Sequence, residues 1–487
     1  MTKLEKYFLP FRKNVIGNGQ TFESPYGNKE IIYTDWTASG RLYREIEEKL
    51  TNDFGPYVAN THTETSFTGA VMTASYSKAK EIIKKHVNAS DTDKLILAGS
   101  GMTGVINKLQ RIMGLRIPEK LAPFTTVPDA LKPIVFISHM EHHSNQTSWL
   151  ETIADVEVIP YTAEGLIDYE AIQSLFDKYT DKSIKILSVT ACSNVTGIRT
   201  DYHRMAEIAH QNDGFCFVDF ACSAPYVNID MHPDKTSYLD AIFFSPHKFL
   251  GGPGTEGVMI FNEKLYTNKV PDNPGGGTVI YTNPWGEHDY IEDIEAREDG
   301  GTPGFLQTIR TALSIQLKEK MGVENILARE HEINELIFEK LNGISNLHLL
   351  AKKQTDRMGV FSFYIEDVHF NLIVKLLNDR FGIQTRGGCS CAGTYGHLLL
   401  KIDNKTSHLI EDDIKEGRLY DRPGWVRLSI HPTMSTEEVV YVCNSINAVA
   451  KNHKEWGDDY MYNEEINDFV HLSKPVIKRK IVESLFS

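Results

Sequence analysis

Two cysteines separated by one residue, Cys389 and Cys391, lie in the segment RGGCSCAGTYGH behind Arg386 and a pair of glycines. A thiolate is a nucleophile and a metal ligand, and a nearby cation such as Arg386 favours it over the thiol. Three interpretations of this loop are open: a nucleophilic site, a loop whose thiols are inert apolar side chains, and a metal site. The metal site would use both thiols and His397, would need a fourth ligand and has no second cysteine pair in support.

A lysine and an aspartate follow two apolar runs of the sequence. Asp219 ends the run FCFVD, and Lys248 follows the run AIFFSP. Ligands gather at the carboxyl ends of parallel strands, so both side chains are expected in one crevice. A pyridoxal phosphate site needs a lysine for a Schiff base and a carboxylate for the pyridinium nitrogen. A lone lysine is usually a solvated surface residue, but Ser245, His247 and the following GGPG favour a cofactor site.

Three further strand ends carry polar groups of the same kind. The stretch KLILAGSGMTGVINKLQ predicts a strand, a glycine-rich turn and a helix start, where the N–H groups of Gly101, Met102 and Thr103 are candidates for binding phosphate. Such turns are also common without a ligand. His142 follows PIVFIS and Asn194 follows IKILSVTA. Taken alone, His142 is better explained as a histidine at a helix start that satisfies local hydrogen bonds. Agreement among the strand ends carries more weight than any single motif.

The elements that position these residues follow from hydrophobic periodicity. Between about residues 30 and 320, short apolar runs alternate with amphipathic segments, which predicts an α/β domain with a mainly parallel sheet covered by helices on both faces. The predicted strands are KLILAG, PIVFIS, VEVIPY, IKILSVTA, FCFVDF, AIFFSP and GVMIF.

A second, smaller α+β domain is predicted towards the C-terminus. Two long helical stretches begin near residue 304, and a helix opens at Ser435, where STEE is a capping box. The segments 117–133, with four prolines, and 395–423 are predicted to be loops or insertions. The expected division is an N-terminal segment 1–30 that packs on the small domain, a large domain 31–305, a small domain 306–455 and a C-terminal extension 456–487, whose basic cluster is predicted to be an ordinary solvated helix or frayed end.

Composition restricts the class of protein. The 487 residues are 41% apolar and 24% charged, as in ordinary globular proteins, and the formal net charge of −14 argues against nucleic acid or an anionic membrane as the main partner. Six irregularly spaced cysteines do not form a disulfide framework, which favours a reducing compartment. Neither a signal peptide nor a membrane-spanning run is evident, so a cytoplasmic location is expected.

The segment SPHKFLGGPGT is similar to the serine, any residue, histidine, lysine signature of a known family. From YTDWTASG to VRLSIHPTMSTEEV the sequence resembles the class V aminotransferase-like, pyridoxal-phosphate-dependent enzymes, specifically the cysteine desulfurase and selenocysteine lyase group. The resemblance implies fold type I, with a large sheet domain and a smaller C-terminal domain. It also implies that Lys248 holds pyridoxal 5′-phosphate and that Ser245 and His247 contact its phosphate.

Other segments extend the resemblance. MEHHSN implies that His142 stacks on the cofactor ring, and SNVTG implies that Asn194 lies near the phenolic oxygen and the substrate. VDFACSA implies that Asp219 pairs with the ring nitrogen and that Ala221 lies beneath the ring. Many relatives have glutamine where this chain has Cys222, which puts the usual hydrogen bond to the phenolic oxygen in doubt.

Two more segments concern the phosphate. GSGMTG implies that the amides of Gly101, Met102 and Thr103 bind it. NPGGGTVIY looks like the segment that relatives donate across a dimer interface, which implies a homodimer in which Thr278 contacts the phosphate of the neighbouring subunit.

In one desulfurase group the nucleophilic cysteine stands five residues after an arginine. Counting from Arg386 gives Cys391. The resemblance therefore implies that L-cysteine becomes L-alanine, that a persulfide forms on Cys391 and that a sulfur-acceptor protein follows. It makes Arg386 and Arg427 ligands of the substrate carboxylate; Arg427 lies in the apolar run GWVRLSI, where an unpaired charge is costly. Cys389 is an extra thiol that would accept sulfur from Cys391 or resolve the Cys391 persulfide as a disulfide or trisulfide.

Other functions stay open at this point. The same fold and cofactor also serve aminotransferases, epimerases and β-lyases, and the group includes enzymes that act on selenocysteine. A role like that of molybdenum-cofactor sulfurases has less support, because only about fifty residues follow Val439. A scaffold without activity is disfavoured because Lys248, Asp219 and His142 are all present.

Overall fold

The computed structural model describes residues 1–473 and 478–487. Residues 474–477, which begin the basic cluster of the tail, lie outside the described residues. In the described chain the helices are α1 Lys3–Lys13, α2 Arg44–Lys49, α3 Phe67–His86, α4 Met102–Ile112, α5 His143–Leu150, α6 Tyr169–Lys178, α7 Tyr202–Gln211, α8 Ile294–Arg297, α9 Phe305–Met321, α10 Val323–Leu341, α11 Phe370–Phe381, α12 Gly393–Leu399, α13 Asn404–Lys415, α14 Thr436–Gly457 and α15 Lys478–Leu485.

The strands of the same residues are β1 Thr21–Ser24, β2 Gly27–Glu30, β3 Ile32–Tyr33, β4 Asp93–Ala98, β5 Ile134–Ile137, β6 Asp155–Val158, β7 Lys185–Thr190, β8 Phe215–Asp219, β9 Ala241–Phe244, β10 Gly257–Asn262, β11 Val279–Thr282, β12 His288–Tyr290, β13 Leu347–Leu349, β14 Val360–Ile365, β15 Ile383–Gln384, β16 Arg386–Gly388, β17 Trp425–Ser429, β18 Tyr460–Asn463 and β19 Asp468–His471.

The chain divides into two compact units. The large unit consists of Ser39–Ser193 and Arg199–Glu324, and the small unit consists of Met1–Ala38, Asn194–Ile198 and Asn325–Ser487. The expected boundary after residue 305 differs from this division, because α9 belongs to the large unit. There its Ile309 and Ala312 pack against Ala79 of α3.

A seven-stranded sheet in the order β4-β10-β9-β8-β7-β5-β6 forms the centre of the large unit. Each of its strands overlaps an apolar run predicted from sequence. β5 to β9 are parallel to one another, whereas β10 is antiparallel to both β9 and β4. The predicted α/β architecture with a mainly parallel sheet is therefore confirmed.

Helices cover both faces of this sheet. Successive strand residues point to opposite faces, so neighbouring residues of one strand contact different helices. Val135 and Ile137 of β5 join a core with Val105 of α4. Phe136, between them, stacks edge-on against Phe176 of α6, with ring centroids 4.9 Å apart. The ends of three neighbouring strands are in register. Asp219, the last residue of β8, lies opposite Thr190 of β7 and Phe243 of β9.

The small unit is built on a four-stranded antiparallel sheet in the order β13-β14-β17-β16. The predicted helix at Ser435 is α14, and the side chains of Ser435 and Glu438 form the expected capping box. Within this unit, Arg12 of the N-terminal segment pairs with Glu438 at 2.5 Å.

Of the two expectations for the segment 395–423, the loop is wrong and the insertion stays a prediction. Much of the segment 395–423 is helical, because α12 reaches Leu399 and α13 runs from Asn404 to Lys415. α13 starts at Asp403, whose carboxylate accepts from the backbone N–H of Thr406, and it buries none of its residues. Its apolar residues Leu409, Ile410 and Ile414 form a short helical pattern, but none of them is buried. The segment 117–133 is irregular apart from two short 3₁₀ turns, as expected.

No helix in residues 1–473 and 478–487 is long and apolar enough to cross a membrane.

Candidate active site

Lys248 ends a single 3₁₀ turn, Pro246–Lys248, directly after β9 and Ser245. Gly252 allows the chain to fold back over this turn, because a Cβ there would lie 1.9 Å from the carbonyl oxygen of Pro246. Burial lowers the pKa of His247 to about 4, and the charge of Lys248 adds to this effect. His247 is therefore a neutral imidazole at pH 7.

The first turn of α4 approaches the same loop. The backbone N–H of Met102 donates to Ser245 Oγ at 2.9 Å. A Cβ on Gly101 would lie 2.9 Å from Ser245 Oγ and 3.6 Å from His247 Nε2, so glycine keeps this corner open. The hydroxyl of Thr103 lies 2.5 Å from Ser144 Oγ. A helix N-terminus lined by hydroxyls, an imidazole and a residue without a side chain fits a phosphate group.

Asp219 supplies a buried carboxylate at the end of β8. Burial raises the pKa of Asp219 to about 6, although the N–H of Ala221, which donates to Oδ1 at 2.8 Å, and the charge of Lys248 act in the opposite direction. An anion in such a place gains from a cationic partner such as a pyridinium ring. This carboxylate, Lys248 and the phosphate corner together fit pyridoxal 5′-phosphate.

His142 caps α5, as the simpler interpretation of the sequence proposed. Its Nδ1 accepts from the backbone N–H of Ser144 at 3.1 Å. This bond places the ring proton of a neutral His142 on Nε2. Capping leaves the stacking role implied by the resemblance as a prediction.

Glu141 is a buried carboxyl that the sequence analysis did not select. It accepts from Ser138 Oγ at 2.5 Å, from Asn145 Nδ2 at 2.7 Å and from the N–H of Thr190 at 2.8 Å. Burial nevertheless raises the pKa of Glu141 to about 8, because it outweighs these three donors. Glu141 therefore ties the ends of β5 and β7 together next to His142.

The remaining candidates in the large unit have local partners. The thiol of Cys222 lies 3.8 Å from the carbonyl oxygen of Ser193. Thr278 is buried, and its hydroxyl donates to the carbonyl of Gly275 at 2.7 Å within its own loop. Contact with the phosphate of a neighbouring subunit remains a prediction for Thr278.

The small unit brings Arg427, Arg386 and Asn194 together. Arg427, only 3% exposed, donates through Nη2 to Asp35 Oδ1 at 2.9 Å and through Nη1 to the carbonyl of Asn194 at 3.2 Å. Arg386 donates through Nε to Asp35 Oδ2 at 3.0 Å. Two guanidinium groups thus share one carboxylate, which leaves a net positive charge for an anionic substrate group.

Two buried polar atoms of this cluster lack protein partners. Within the described residues, Arg427 Nε and Asn194 Oδ1 have no hydrogen-bond partner. Buried polar groups are normally satisfied, and an orphan marks a place where a ligand atom is expected. A guanidinium N–H and an amide oxygen suit the carboxylate and ammonium groups of an amino acid.

The two cysteines of the RGGCSC segment lie on a tight turn. The N–H of Ala392 donates to the carbonyl of Cys389 at 3.1 Å, and the φ angles of Ser390 and Cys391 are +51° and +56°. Cys391 is exposed and Cys389 is half-buried. In the described chain no group of three or more His, Cys, Asp or Glu residues could hold a metal ion, and both ring nitrogens of His397 contact other groups, the Gly393 carbonyl and Ser407 Oγ.

Comparison with known proteins identifies the family. The family model "Aminotransferase class-V" matches residues 32–442, well over half of the chain. The chain belongs to the class V aminotransferase family. This class V protein thus carries the lysine, aspartate and histidine segments whose resemblance to that family was noted from the sequence alone.

Two curated relatives of this class V protein share one description. A "Probable cysteine desulfurase" of Halalkalibacterium halodurans is 28% identical over 371 residues, which cover 74% of this chain and 84% of that protein. A "Probable cysteine desulfurase" of Staphylococcus epidermidis is 28% identical over 387 residues, or 78% of this chain and 87% of that protein. The solved cysteine desulfurase from Thermococcus onnurineus NA1 has the same fold, with a TM-score of 0.72 at 20% identity over 91% of this chain and 98% of that one.

Sequence reasoning missed Asp35, Glu141 and Arg422. Asp35 and Glu141 belong to YTDWTASG and MEHHSN, two segments that resemble the family, so their position in these segments is the signal that could have identified them. Arg422 lies beyond α13, where its Nη2 contacts Cys389 Sγ at 3.3 Å. Nothing local in the sequence connects these two residues.

Proposed function

We propose that this chain is a pyridoxal-phosphate-dependent cysteine desulfurase, which converts L-cysteine to L-alanine and retains the sulfur as a persulfide on Cys391. One observation carries the proposal. The turn that exposes the Cys391 thiol is bonded to Asn194, whose Nδ2 donates to the Ser390 carbonyl at 2.7 Å, and Asn194 in turn contacts the buried guanidinium of Arg427. A carboxylate receptor and an exposed thiol are therefore built into one cluster.

The groups proposed to hold the cofactor lie in the large unit. Lys248 binds it covalently, Asp219 pairs with its ring nitrogen, and the corner formed by Ser245, His247 and the first turn of α4 binds its phosphate. Bound pyridoxal 5′-phosphate supplies an electron sink for the bond between the substrate Cα and its proton. The amine of Lys248 takes that proton and returns a proton to the product.

The sulfur step belongs to Cys391. Its thiolate attacks the substrate sulfur, so that a bond forms between the two sulfur atoms while the bond between the substrate Cβ and sulfur breaks. The substrate Cβ keeps the electrons of the broken bond and takes up a proton, which makes it the methyl group of alanine. Arg427, with Arg386 beside it, orients the substrate carboxylate. His142 presents its Nε2 proton to the cofactor or the substrate. Alanine then leaves, and the persulfide remains on the enzyme.

Other parts of the proposal concern assembly and context. A homodimer with Thr278 at the phosphate of the neighbouring subunit is proposed from the resemblance of NPGGGTVIY to the donated segment of relatives. A cytoplasmic location and a separate sulfur-acceptor protein are further parts of the proposal. L-selenocysteine is proposed as a further substrate, since selenium is displaced from carbon in the same way.

Product analysis tests the proposal. Purified protein loaded with cofactor is given L-cysteine without oxygen, and alanine, total released and bound sulfur, pyruvate and mercaptopyruvate are quantified. Equal amounts of alanine and sulfur are expected. Pyruvate in place of alanine would make the chain a β-lyase, a keto acid would make it an aminotransferase, and no turnover of cysteine would refute the proposal.

Cofactor affinity is expected to fall in acid. The pKa of Asp219 before the cofactor binds is about 6 and falls once it faces a pyridinium, so binding releases a proton and the apparent Kd rises about tenfold per pH unit below pH 6. Absorbance titration of cofactor-free protein between pH 5 and 8 measures this dependence. In Asp219→Asn the apparent Kd should depend less steeply on pH, because only the ionisation of the cofactor phosphate then contributes. An unchanged slope in this variant would show that Asp219 does not pair with the ring.

Arg427→Gln is expected to raise the KM for L-cysteine roughly 10- to 100-fold, because a hydrogen bond to a charged group contributes about 1.5–3 kcal/mol. The kcat should change less. Arg386→Gln should have a smaller effect, because the side chain of Arg386 is 53% exposed. Steady-state kinetics with L-cysteine and with cysteamine, which lacks the carboxylate, provide the check: Arg427→Gln should reduce the preference for cysteine, and an unchanged preference would place the carboxylate elsewhere. The matched control is Arg418→Gln, on a surface arginine that pairs with Asp413 at 2.5 Å.

A further inference from the structure

In the proposed function Cys391 is the nucleophile, and Cys389 has no role. Both cysteines belong to the turn closed by the bond between the Ala392 N–H and the Cys389 carbonyl. The positive φ angles of Ser390 and Cys391 are those of a type I′ turn, a conformation that Asn and Gly adopt most easily. A left-handed residue with a side chain is strained, because its Cβ approaches the following carbonyl oxygen. Such strain persists only where neighbouring groups impose it, and it concentrates at functional sites.

Two side chains hold the turn in place. Asn194 Nδ2 donates to the carbonyl of Ser390 at 2.7 Å, and the indole Nε1 of the fully buried Trp425 donates to Ser390 Oγ at 3.2 Å. The Cα atoms of residues two apart are separated by at most about 7 Å. Rotation about the side-chain bonds is therefore enough to bring the two thiols within reach of each other.

The guanidinium contact distinguishes the two thiols. Arg422 Nη2 lies 3.3 Å from the sulfur of Cys389. Within the described residues this contact is made to Cys389 and not to Cys391. A guanidinium beside this sulfur stabilises the negative charge that the sulfur carries when it attacks another sulfur atom. It also stabilises a persulfide anion formed at the same position.

We propose that Cys389 is a second sulfur carrier, which takes the outer sulfur from the Cys391 persulfide while Arg422 holds the charge. The thiolate of Cys389 attacks the outer sulfur atom, so that a bond forms between them and the bond from that atom to Cys391 Sγ breaks. Cys391 leaves as a thiolate, ready for the next substrate. Any proton on the outer sulfur moves with it, and no oxidant or reductant is needed. This inference rests on the proposed function, and it makes Cys389 the site from which an acceptor thiol draws sulfur.

A single turnover locates the sulfur. Protein loaded with cofactor receives one equivalent of L-cysteine, persulfides are trapped by alkylation, and the tryptic peptide 387–401, which carries both cysteines, is fragmented in a mass spectrometer. Most of the extra sulfur is expected on Cys389 in the native protein. Arg422→Gln should shift the ratio about tenfold towards Cys391, Arg422→Lys should restore part of it, and the control Arg418→Gln should match the native protein.

The outcomes separate this inference from the function on which it rests. Alanine with sulfur confined to Cys391 would overturn the carrier role and leave the desulfurase proposal intact. Sulfur on Cys389 in Cys391→Ser would also overturn it, because Cys389 would then take sulfur directly from the substrate. Neither alanine nor a persulfide on either thiol would refute the function itself.

A second readout does not require turnover. The rate at which iodoacetamide alkylates Cys389 at neutral pH should fall several-fold in Arg422→Gln, while the rate at Cys391 should stay the same. Equal rates at Cys389 in the native protein and the variant would show that Arg422 does not activate this thiol.

Discussion

Exchange of Cys391 for serine is expected to reduce persulfide formation from L-cysteine to background while cofactor binding stays at the native level. A hydroxyl is not ionised near neutral pH and is a poor nucleophile towards sulfur, whereas the side-chain volumes are close. Cys391 is exposed in the small unit, whereas the groups proposed to hold the cofactor belong to the large unit. Persulfide labelling and alanine assays, together with cofactor absorbance, measure the three quantities separately.

Cys391→Ala is the matched variant, because it also lacks the thiol and should behave in the same way. Alanine formation that persists at the native rate in both variants would mean that sulfur, or selenium, leaves without attack by Cys391. The enzyme would then act as a lyase of the selenocysteine type.

Lys248→Ala is expected to lower the rate of alanine formation by roughly 10²- to 10⁴-fold, the usual contribution of a proton-transferring side chain. It should also abolish the covalent attachment of the cofactor. Borohydride reduction followed by peptide mapping should find the cofactor on Lys248 in the native protein and on no peptide in the variant. Lys248→Arg keeps the positive charge but forms no imine, so it should be inactive too.

The assignment of the cofactor to Lys248 would be contradicted most clearly by attachment to another buried lysine, Lys318. Burial lowers the pKa of Lys318 to about 7, which makes its amine reactive in principle. Its Nζ, however, donates to the carbonyl of Ala224 at 2.7 Å and to that of Val227, and it lies 3.1 Å from His86 Nε2. These contacts indicate a structural role. A cofactor adduct on Lys318 would show that the site has been assigned to the wrong lysine.

The large sheet and its strand ends were predictable because their signals are local. Each strand is a short apolar run, and a polar residue such as Asp219 marks where it ends. The small unit was harder. α13 buries none of its residues, so its few apolar side chains give only a short pattern, and Arg427 contacts Asp35 across 392 residues of sequence. No local pattern encodes such a pair, and the contact between Arg422 and Cys389 depends on the course of the chain through α12 and α13.

The small unit cannot begin to fold when its first residues leave the ribosome, because the partners of these residues have not yet been synthesised. Its strand β3 pairs with β15, and the hydroxyl of Thr34 donates to the carbonyl of Gln384, 350 residues later. At a synthesis rate of about 5–20 residues per second, that partner follows roughly 20–70 s afterwards. During this interval Asp35 exists without its two arginines, and the N-terminal segment must be protected by its own solubility or by chaperones. A chain that stops before β15 is expected to leave β3 and Asp35 without these partners, although the residues of the large unit, which end at Glu324, are already complete.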